Sequence, residues 1–170
     1  MLTKPLGQSS IQLPAIGQGA GDTFFTSDIP YRRKVALLRT GIELGMRFID
    51  TSEFYGDGLS EEIVGEAIDP VREHVVVATK VWSNHLSYEE VLKAADRSLK
   101  RLNTDYIDLY QIHWPNPSIP ISETMSAFRV LLETGKIKCV GVCNFTPREV
   151  GLAQDALGEY ELASVQNEYN

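Results

Sequence analysis

The stretch Phe48-Ile49-Asp50-Thr51-Ser52-Glu53-Phe54-Tyr55 decides the fold of this chain. A short apolar run ends there in a carboxylate, and a tyrosine follows five positions later. Two later apolar runs end in the same way, Val75–Thr79 in Lys80 and Tyr106–Ile112 in His113. Buried strands that each finish in an ionisable residue are typical of an α/β barrel, because the C-terminal ends of its strands converge on one face. We therefore expect these four ionisable side chains to meet at one mouth.

Strand-like and helix-like segments alternate along the chain after a predicted β-hairpin, in which Leu2–Leu6 and Ile11–Leu13 flank the turn residues Gly7-Gln8-Ser9-Ser10. Six strands are predicted after the hairpin: Ala15–Gly19, Arg47–Asp50, Val75–Lys80, Tyr106–His113, Ile137–Val142 and Leu162–Gln166. Helices are predicted between them, with Ser60, Ser87, Ser122 and Thr146 as N-caps. Such alternation predicts a parallel sheet with right-handed crossovers, and we interpret residues 1–170 as a single domain.

A parallel sheet with helices can be a closed barrel or an open, doubly wound sheet. The open sheet usually carries a G-x-G-x-x-G phosphate loop directly after its first strand. Here that position reads Gly17-Gln18-Gly19-Ala20-Gly21-Asp22, which has glycines but does not match the motif. Polar groups at nearly every predicted strand end favour the barrel.

Composition and charge limit the classes of partner and the cellular compartment that we expect for this chain. The chain has 170 residues, of which 43% are hydrophobic, and a net charge of −7. This acidic balance argues against a nucleic-acid partner and, weakly, against anionic membrane surfaces. No apolar run approaches the roughly 20 residues of a membrane span, and the N-terminus lacks the apolar core of a signal peptide. We therefore expect a cytoplasmic protein with no membrane or nucleic-acid partner.

The two cysteines, Cys139 and Cys143, fall four residues apart on one predicted strand. At about 3.3 Å per residue their Cα atoms are roughly 13 Å apart, too far for a disulfide. Neither has other ligands at metal-site spacing, so the sequence predicts two buried free thiols and no metal.

The four strand-end residues suit the reduction of a carbonyl group by hydride. The carbonyl oxygen gains negative charge as hydride arrives, so a proton donor must lie beside it. Tyr55 can be that donor if the ammonium of Lys80 stabilises its phenolate, with Asp50 holding the ammonium in place. His113 can donate a hydrogen bond to the same oxygen. Structural alternatives stay open at each position, for example a cap at Asp50 or a packed aromatic ring at Tyr55.

The chain resembles the aldo-keto reductases. Gly45–Gly56 is similar to the family signature G-x-x-x-[FI]-D-T-A-x-x-Y-G, with Ser52 where alanine is common. Further resemblances lie in the lysine strand Val77–Lys80, the histidine strand Asp105–Pro115, the segment Gly135–Phe145 and the strand Ser164–Asn170. The match as a whole runs from near residue 10 to the last residue, and in combination these motifs are highly specific.

The resemblance implies a (β/α)8 barrel that reduces aldehydes or ketones with NADPH. It implies that Tyr55 is the general acid, that Lys80 and Asp50 tune it, and that His113 orients the substrate carbonyl. It also implies a set of residues that hold the nicotinamide carboxamide and ribose: Asp50, Cys143, Asn144 and Gln166. Cys143 stands where the family usually has serine, and a thiol is a weaker hydrogen-bond donor.

Aromatic residues near the strand ends are candidates for the substrate pocket. Trp82 and Trp114 follow closely after Lys80 and His113, and Phe24 lies in the loop after the first strand. A plain packing role at the rim or in the core is the alternative for each tryptophan.

The length of the chain departs from the family pattern. A full barrel of this type needs about 250 residues, and this sequence ends after about six strands. In the family the last two strands bind the pyrophosphate and the adenosine 2′-phosphate. The predicted edge strands Ala15–Gly19 and Leu162–Gln166 would stay open and could pair with another chain.

Four interpretations of the chain remain open on sequence grounds. It can be the N-terminal part of a longer enzyme, or a short product that completes its barrel with another polypeptide. It can also be an inactive relic, or a non-catalytic nucleotide-binding or regulatory protein that keeps the fold, like the related channel β subunits.

Overall fold

The computed structural model describes residues 1–21 and 28–168. In this part of the chain a hairpin precedes strands and helices that alternate. The strands are β1 (Thr3–Pro5), β2 (Gln12–Pro14), β3 (Gln18–Gly19), β4 (Phe48–Asp50), β5 (Val76–Val81), β6 (Ile107–Ile112), β7 (Ile137–Cys143) and β8 (Leu162–Gln166). The helices are α1 (Tyr31–Glu43), α2 (Leu59–Ile68), α3 (Tyr88–Leu102), α4 (Ile121–Glu133) and α5 (Pro147–Leu157).

The large sheet has strand order β3-β4-β5-β6-β7-β8, and every neighbouring pair is parallel. β1 and β2 pair antiparallel as a separate hairpin. The predicted fold class is thereby confirmed: a (β/α)8-barrel type with six strands curled into a partial barrel, preceded by an N-terminal hairpin. β3 and β8 form the two edges of this sheet, where the sequence predicts them.

Side chains alternate between the two faces of the sheet, and each face packs in a hydrophobic cluster of its own. Val77 and Val81 of β5 lie in the main core between the sheet and the helices, whereas Ala78 packs in a smaller cluster with Leu6, Leu109 and Cys139. Because successive strand residues point to opposite faces, Lys80 lies on the same face as Ala78, two residues closer to the C-terminal end. The hairpin thus covers the N-terminal end of the inner face, and the polar side chains occupy its C-terminal end.

The helix starts only partly follow the predicted caps. Thr146 caps α5 with a complete capping box, as predicted. Ser87 occupies the N-cap of α3 without a side-chain cap hydrogen bond, and the prediction of Ser122 is wrong because Pro120 precedes α4. Ser60 is also not a cap: α2 begins after Gly58, whose φ of +90° favours glycine. The Ser60 hydroxyl instead donates to the Ala20 carbonyl oxygen at 2.7 Å.

Both cysteines are buried free thiols, in agreement with the sequence prediction. Across residues 1–21 and 28–168, no helix is long and apolar enough to cross a membrane. The same residues contain no group of three or more His, Cys, Asp or Glu side chains that could hold a metal ion.

Candidate active site

The Lys80–Asp50 pair anchors the C-terminal end of the inner face. Asp50 is the last residue of β4 and Lys80 is the fifth residue of β5, and the two strands are adjacent. The Lys80 Nζ atom donates to Asp50 Oδ1 at 2.7 Å and to the Thr51 carbonyl oxygen at 2.9 Å. Lys80 is only 2% exposed. A lysine so deeply buried needs a charge partner, and Asp50 is that partner.

Tyr55 and His113 lie beside this pair. The turn after β4 brings the Tyr55 hydroxyl to 3.4 Å from Nε2 of His113, which directly follows β6. Their rings meet edge to face, with centroids 5.4 Å apart. Lys80 Nζ lies 5.5 Å from the centroid of the Tyr55 ring. The structure therefore brings all four predicted catalytic residues together, although they are spread over more than sixty positions of sequence.

His113 is electrostatically disfavoured as a cation. Burial and, to a smaller extent, the nearby Lys80 ammonium lower its pKa from 6.5 to about 4, against the opposing influence of Asp50. At neutral pH the imidazole is therefore neutral and carries one N–H. Its Nδ1 atom lies 2.9 Å from the Ser52 hydroxyl oxygen, on the side of the ring away from Tyr55.

Amide groups and a thiol line the opposite side of the site. Gln166 donates through Nε2 to Asp50 Oδ2 at 3.1 Å and accepts at Oε1 from the Cys143 thiol at 3.2 Å. Asn144 donates through Nδ2 to the His113 carbonyl oxygen at 2.9 Å. Burial raises the pKa of Cys143 to about 12, so its sulfur stays a protonated, weak donor.

These residues border one cavity of about 270 Å³. Its lining contains the four predicted catalytic residues and the three further residues predicted to hold the cofactor, together with Asn167 and Glu168. The cavity opens at the C-terminal ends of the strands, where barrel enzymes carry their chemistry. The arrangement places a phenol, a paired ammonium, a neutral imidazole and two carboxamides around this cavity.

The predicted pocket aromatics differ in their positions. The Trp82 ring lies 5.2 Å from the His113 ring and stacks on Phe54 with centroids 3.9 Å apart. Trp114 is 47% exposed and is not among the residues that line the cavity. Phe24 lies outside the described residues. Sequence reasoning missed Phe54, whose only signal was its place directly before Tyr55 in the motif.

A buried carboxylate behind the site, also missed from the sequence, holds Trp82 in place. Glu53 is 7% exposed, and its Oε1 atom accepts from the Trp82 backbone N–H at 2.8 Å and contacts His85 Nδ1 at 2.9 Å. Arg97 and Arg101 approach its other oxygen at 3.7 Å and 3.9 Å. Glu53 therefore fastens the start of the loop after β5 to the turn that carries Tyr55.

Comparison with known proteins identifies the family to which this barrel-type fold and its site belong. A model described as the aldo/keto reductase family matches residues 15–170, so the chain belongs to this family. The predicted family resemblance is confirmed.

Known relatives agree with this assignment. Methylglyoxal reductase YeaE of Escherichia coli K12 is 44% identical over 136 residues, which are 79% of this chain and 46% of the relative. The crystal structure of the thermostable aldo-keto reductase Tm1743 with the inhibitor epalrestat has a TM-score of 0.92 at 40% identity, and the match covers 100% of this chain and 63% of the other. The aldo/keto reductase from Klebsiella pneumoniae, in complex with NADP and acetate, has a TM-score of 0.76 at 38% identity, covering 83% of this chain and 49% of the other. The chain spans about half the length of the curated relatives it matches.

Proposed function

We propose that this chain carries the catalytic residues of an NADPH-dependent reductase of aldehydes or ketones, with Tyr55 as the general acid. The observation that carries the proposal is the single cavity that contains Tyr55, His113 and the Lys80–Asp50 pair. A second support is that the related reductase from Klebsiella pneumoniae was solved with NADP.

The proposed reaction adds a hydride to the carbonyl carbon and a proton to the carbonyl oxygen, which gives an alcohol. NADPH, when bound, would supply the hydride from its nicotinamide ring and would thereby be oxidised to NADP⁺. Tyr55 donates the proton from its hydroxyl group. Lys80 is held in place by its contact with Asp50, and the positive charge of its ammonium stabilises the phenolate that Tyr55 becomes. The neutral ring of His113 contacts the same oxygen through Nε2.

The amide side of the cavity fits the nicotinamide carboxamide. A carboxamide has both donors and acceptors, and so do the side chains of Asn144 and Gln166. Gln166 already uses its NH₂ group on Asp50, so the residues that would hold the ring are linked to those that would tune the acid. We propose Asn144, Gln166, Cys143 and Asp50 as the nicotinamide-binding set.

A named relative points to a small carbonyl substrate. Methylglyoxal is a reasonable first substrate, because the relative YeaE is named a methylglyoxal reductase. We propose small aldehydes and α-dicarbonyl compounds as the substrate class.

The test is the loss of NADPH absorbance in the presence of methylglyoxal and a panel of aldehydes, for the intact protein and for Tyr55→Phe. Loss of a general acid costs about 10²- to 10⁴-fold in rate, so we expect kcat to fall at least about a hundredfold while NADPH binding is kept. Tyr88→Phe, on the surface at the start of α3, is the matched control and should keep full activity.

Two results would contradict the proposal. Full activity of Tyr55→Phe would remove Tyr55 from its role as the acid. An intact protein that binds NADPH tightly but turns over none of the carbonyl compounds would instead support the alternative, a nucleotide-binding protein of the same fold.

A further inference from the structure

Ser52 is a buried hydroxyl in contact with the site, and the proposed mechanism does not use it. Its exposed fraction is 0%, and its Oγ atom lies 2.9 Å from His113 Nδ1. The other two neighbours of this oxygen are backbone groups. The Phe54 N–H donates to it at 3.2 Å, and the Lys80 carbonyl oxygen lies 3.3 Å away. The hydroxyl proton must therefore go either to the imidazole or to that carbonyl.

The contacts favour the imidazole as the acceptor. The distance to His113 Nδ1 is 0.4 Å shorter than the distance to the Lys80 carbonyl oxygen, as the values 2.9 Å and 3.3 Å show. That carbonyl oxygen also already accepts from the Glu53 backbone N–H. The Ser52 oxygen also already accepts from the Phe54 N–H, so it is better supplied with donors than the imidazole nitrogen is, and Ser52 is the donor within reach of Nδ1.

The direction of this hydrogen bond decides where His113 carries its proton. Because the ring is neutral at pH 7, it has a single N–H. If Nδ1 accepts from Ser52, the proton must be on Nε2, the atom that lies 3.4 Å from the Tyr55 hydroxyl. In the opposite arrangement Nε2 would be an acceptor, and it would draw the Tyr55 proton towards itself and away from a substrate.

We propose that Ser52 is a positioning residue that holds His113 in the Nε2–H tautomer, so that the imidazole donates a hydrogen bond into the cavity. The catalytic part of this inference rests on the proposed function; the tautomer itself does not. Ser52 is not among the residues that line the cavity, so it contacts no substrate itself; besides His113, its oxygen holds the Phe54 N–H in the turn that carries Tyr55. A carbonyl oxygen in the cavity would then receive one hydrogen bond from His113 Nε2 and one from Tyr55, and the tyrosine proton would stay available for transfer.

The experiment records the ring nitrogens of His113 directly. The intact protein is labelled with ¹⁵N-histidine, and the two nitrogens are observed through their couplings to the ring protons at pH 7. The His113→Gln variant assigns the signals by their disappearance. In the wild type we expect a protonated Nε2 and an unprotonated Nδ1. In Ser52→Ala we expect the population to move towards the Nδ1–H tautomer, since the donor that favoured the other form is gone.

Kinetics give the second measurement. We expect Ser52→Ala to lower kcat about fivefold to tenfold, which corresponds to one neutral hydrogen bond, with KM for the carbonyl compound changed less than about threefold. Ser52→Cys keeps a weak donor of similar size and should fall between the two. Ser98→Ala is the matched control, because Ser98 is equally buried but lies on α3 behind the sheet. It should change neither the ring nitrogens nor kcat.

The outcomes separate the two proposals. A wild-type His113 with its proton on Nδ1 would overturn the role of Ser52, and so would a Ser52→Ala variant whose tautomer and kcat equal those of the wild type. A wild type that shows the Nε2–H pattern but no turnover would contradict the proposed function while it supports the tautomer. If Ser52→Ala does not fold, the wild-type spectrum and Ser52→Cys still decide the question.

Discussion

Replacing His113 with glutamine should reduce the decrease in the free energy of unfolding that this protein shows between pH 6.5 and pH 4. The cause is that burial and Lys80 lower the folded-state pKa of His113 to about 4, from 6.5 for a solvated histidine. At pH 7 both the folded and the unfolded states hold the ring neutral. As the pH falls through 6.5, the unfolded chain takes up a proton that the folded chain refuses until about pH 4. The unfolded state therefore gains relative stability across this window.

The magnitude follows from the two pKa values. At about 1.4 kcal/mol per pKa unit, the lowering from 6.5 to about 4 gives a ceiling of about 3.5 kcal/mol, of which about 3 kcal/mol is reached at pH 4. His113 borders an open cavity, so water screens part of this cost, and we expect about 2 kcal/mol. Removal of the imidazole changes stability at pH 7 by some constant amount through lost contacts. The prediction concerns only the part that depends on pH.

The assay is urea unfolding followed by circular dichroism at intervals from pH 7 to pH 4, for the wild type and for His113→Gln. The free energy of unfolding of the variant minus that of the wild type should rise by about 2 kcal/mol from pH 7 to pH 4. Other titrating groups cancel in this difference. His74→Gln, which removes an imidazole that is 62% exposed, is the matched control. A constant difference between His113→Gln and the wild type across the window would refute the reasoning.

Two further predictions concern the packing around two helix glycines and a buried ion pair. Gly65→Ala should lower the free energy of unfolding by about 1–3 kcal/mol in urea titrations, because a Cβ atom there would meet backbone atoms of Arg101 and Leu102 at 2.6–2.8 Å. Gly151→Ala, in α5 with nothing within 4 Å of the added atom, should instead stabilise by up to about 1 kcal/mol, and equal effects of the two changes would contradict this packing argument. Arg101→Met should cost about 3–5 kcal/mol at pH 7, because it leaves the fully buried carboxylate of Glu61 without its 2.6 Å ion pair; a loss below about 1 kcal/mol would show that Glu61 is protonated without the arginine. Burial already raises the pKa of Glu61, so this loss should shrink as the pH falls.

The closeness of the predicted site residues follows from the geometry of parallel sheets. Once Asp50, Lys80 and His113 are assigned to the ends of successive parallel strands, their convergence follows from the fold without any knowledge of side-chain contacts. Hydrophobic runs and helix periodicity report this assignment directly, because each element must bury one face. The cavity that contains these residues therefore agrees with the expectation from sequence, while their chemical roles stay predictions.

Helix starts were less accessible from the sequence. Thr146 caps its helix as predicted because the capping box is a local motif closed within four residues. Ser60 looks equally suitable, but its hydroxyl is engaged by Thr51 and by the Ala20 carbonyl oxygen, forty positions away. A contact between residues so far apart in sequence cannot be predicted from the local sequence pattern. The helix instead begins after Gly58, in the turn that follows the motif.

The sequence by itself determined the class of the fold, the order of its strands and the identity of the residues at the C-terminal ends of those strands. These properties depend on hydrophobic periodicity and on local motifs, and both involve residues that are close together in the sequence. Only the tertiary structure decided that Ser52 contacts His113, that Phe54 stacks on Trp82, and that Glu53 holds the loop after β5. Each of these contacts joins segments that are distant in sequence, and their distances depend on strand register and side-chain packing, which no local pattern encodes.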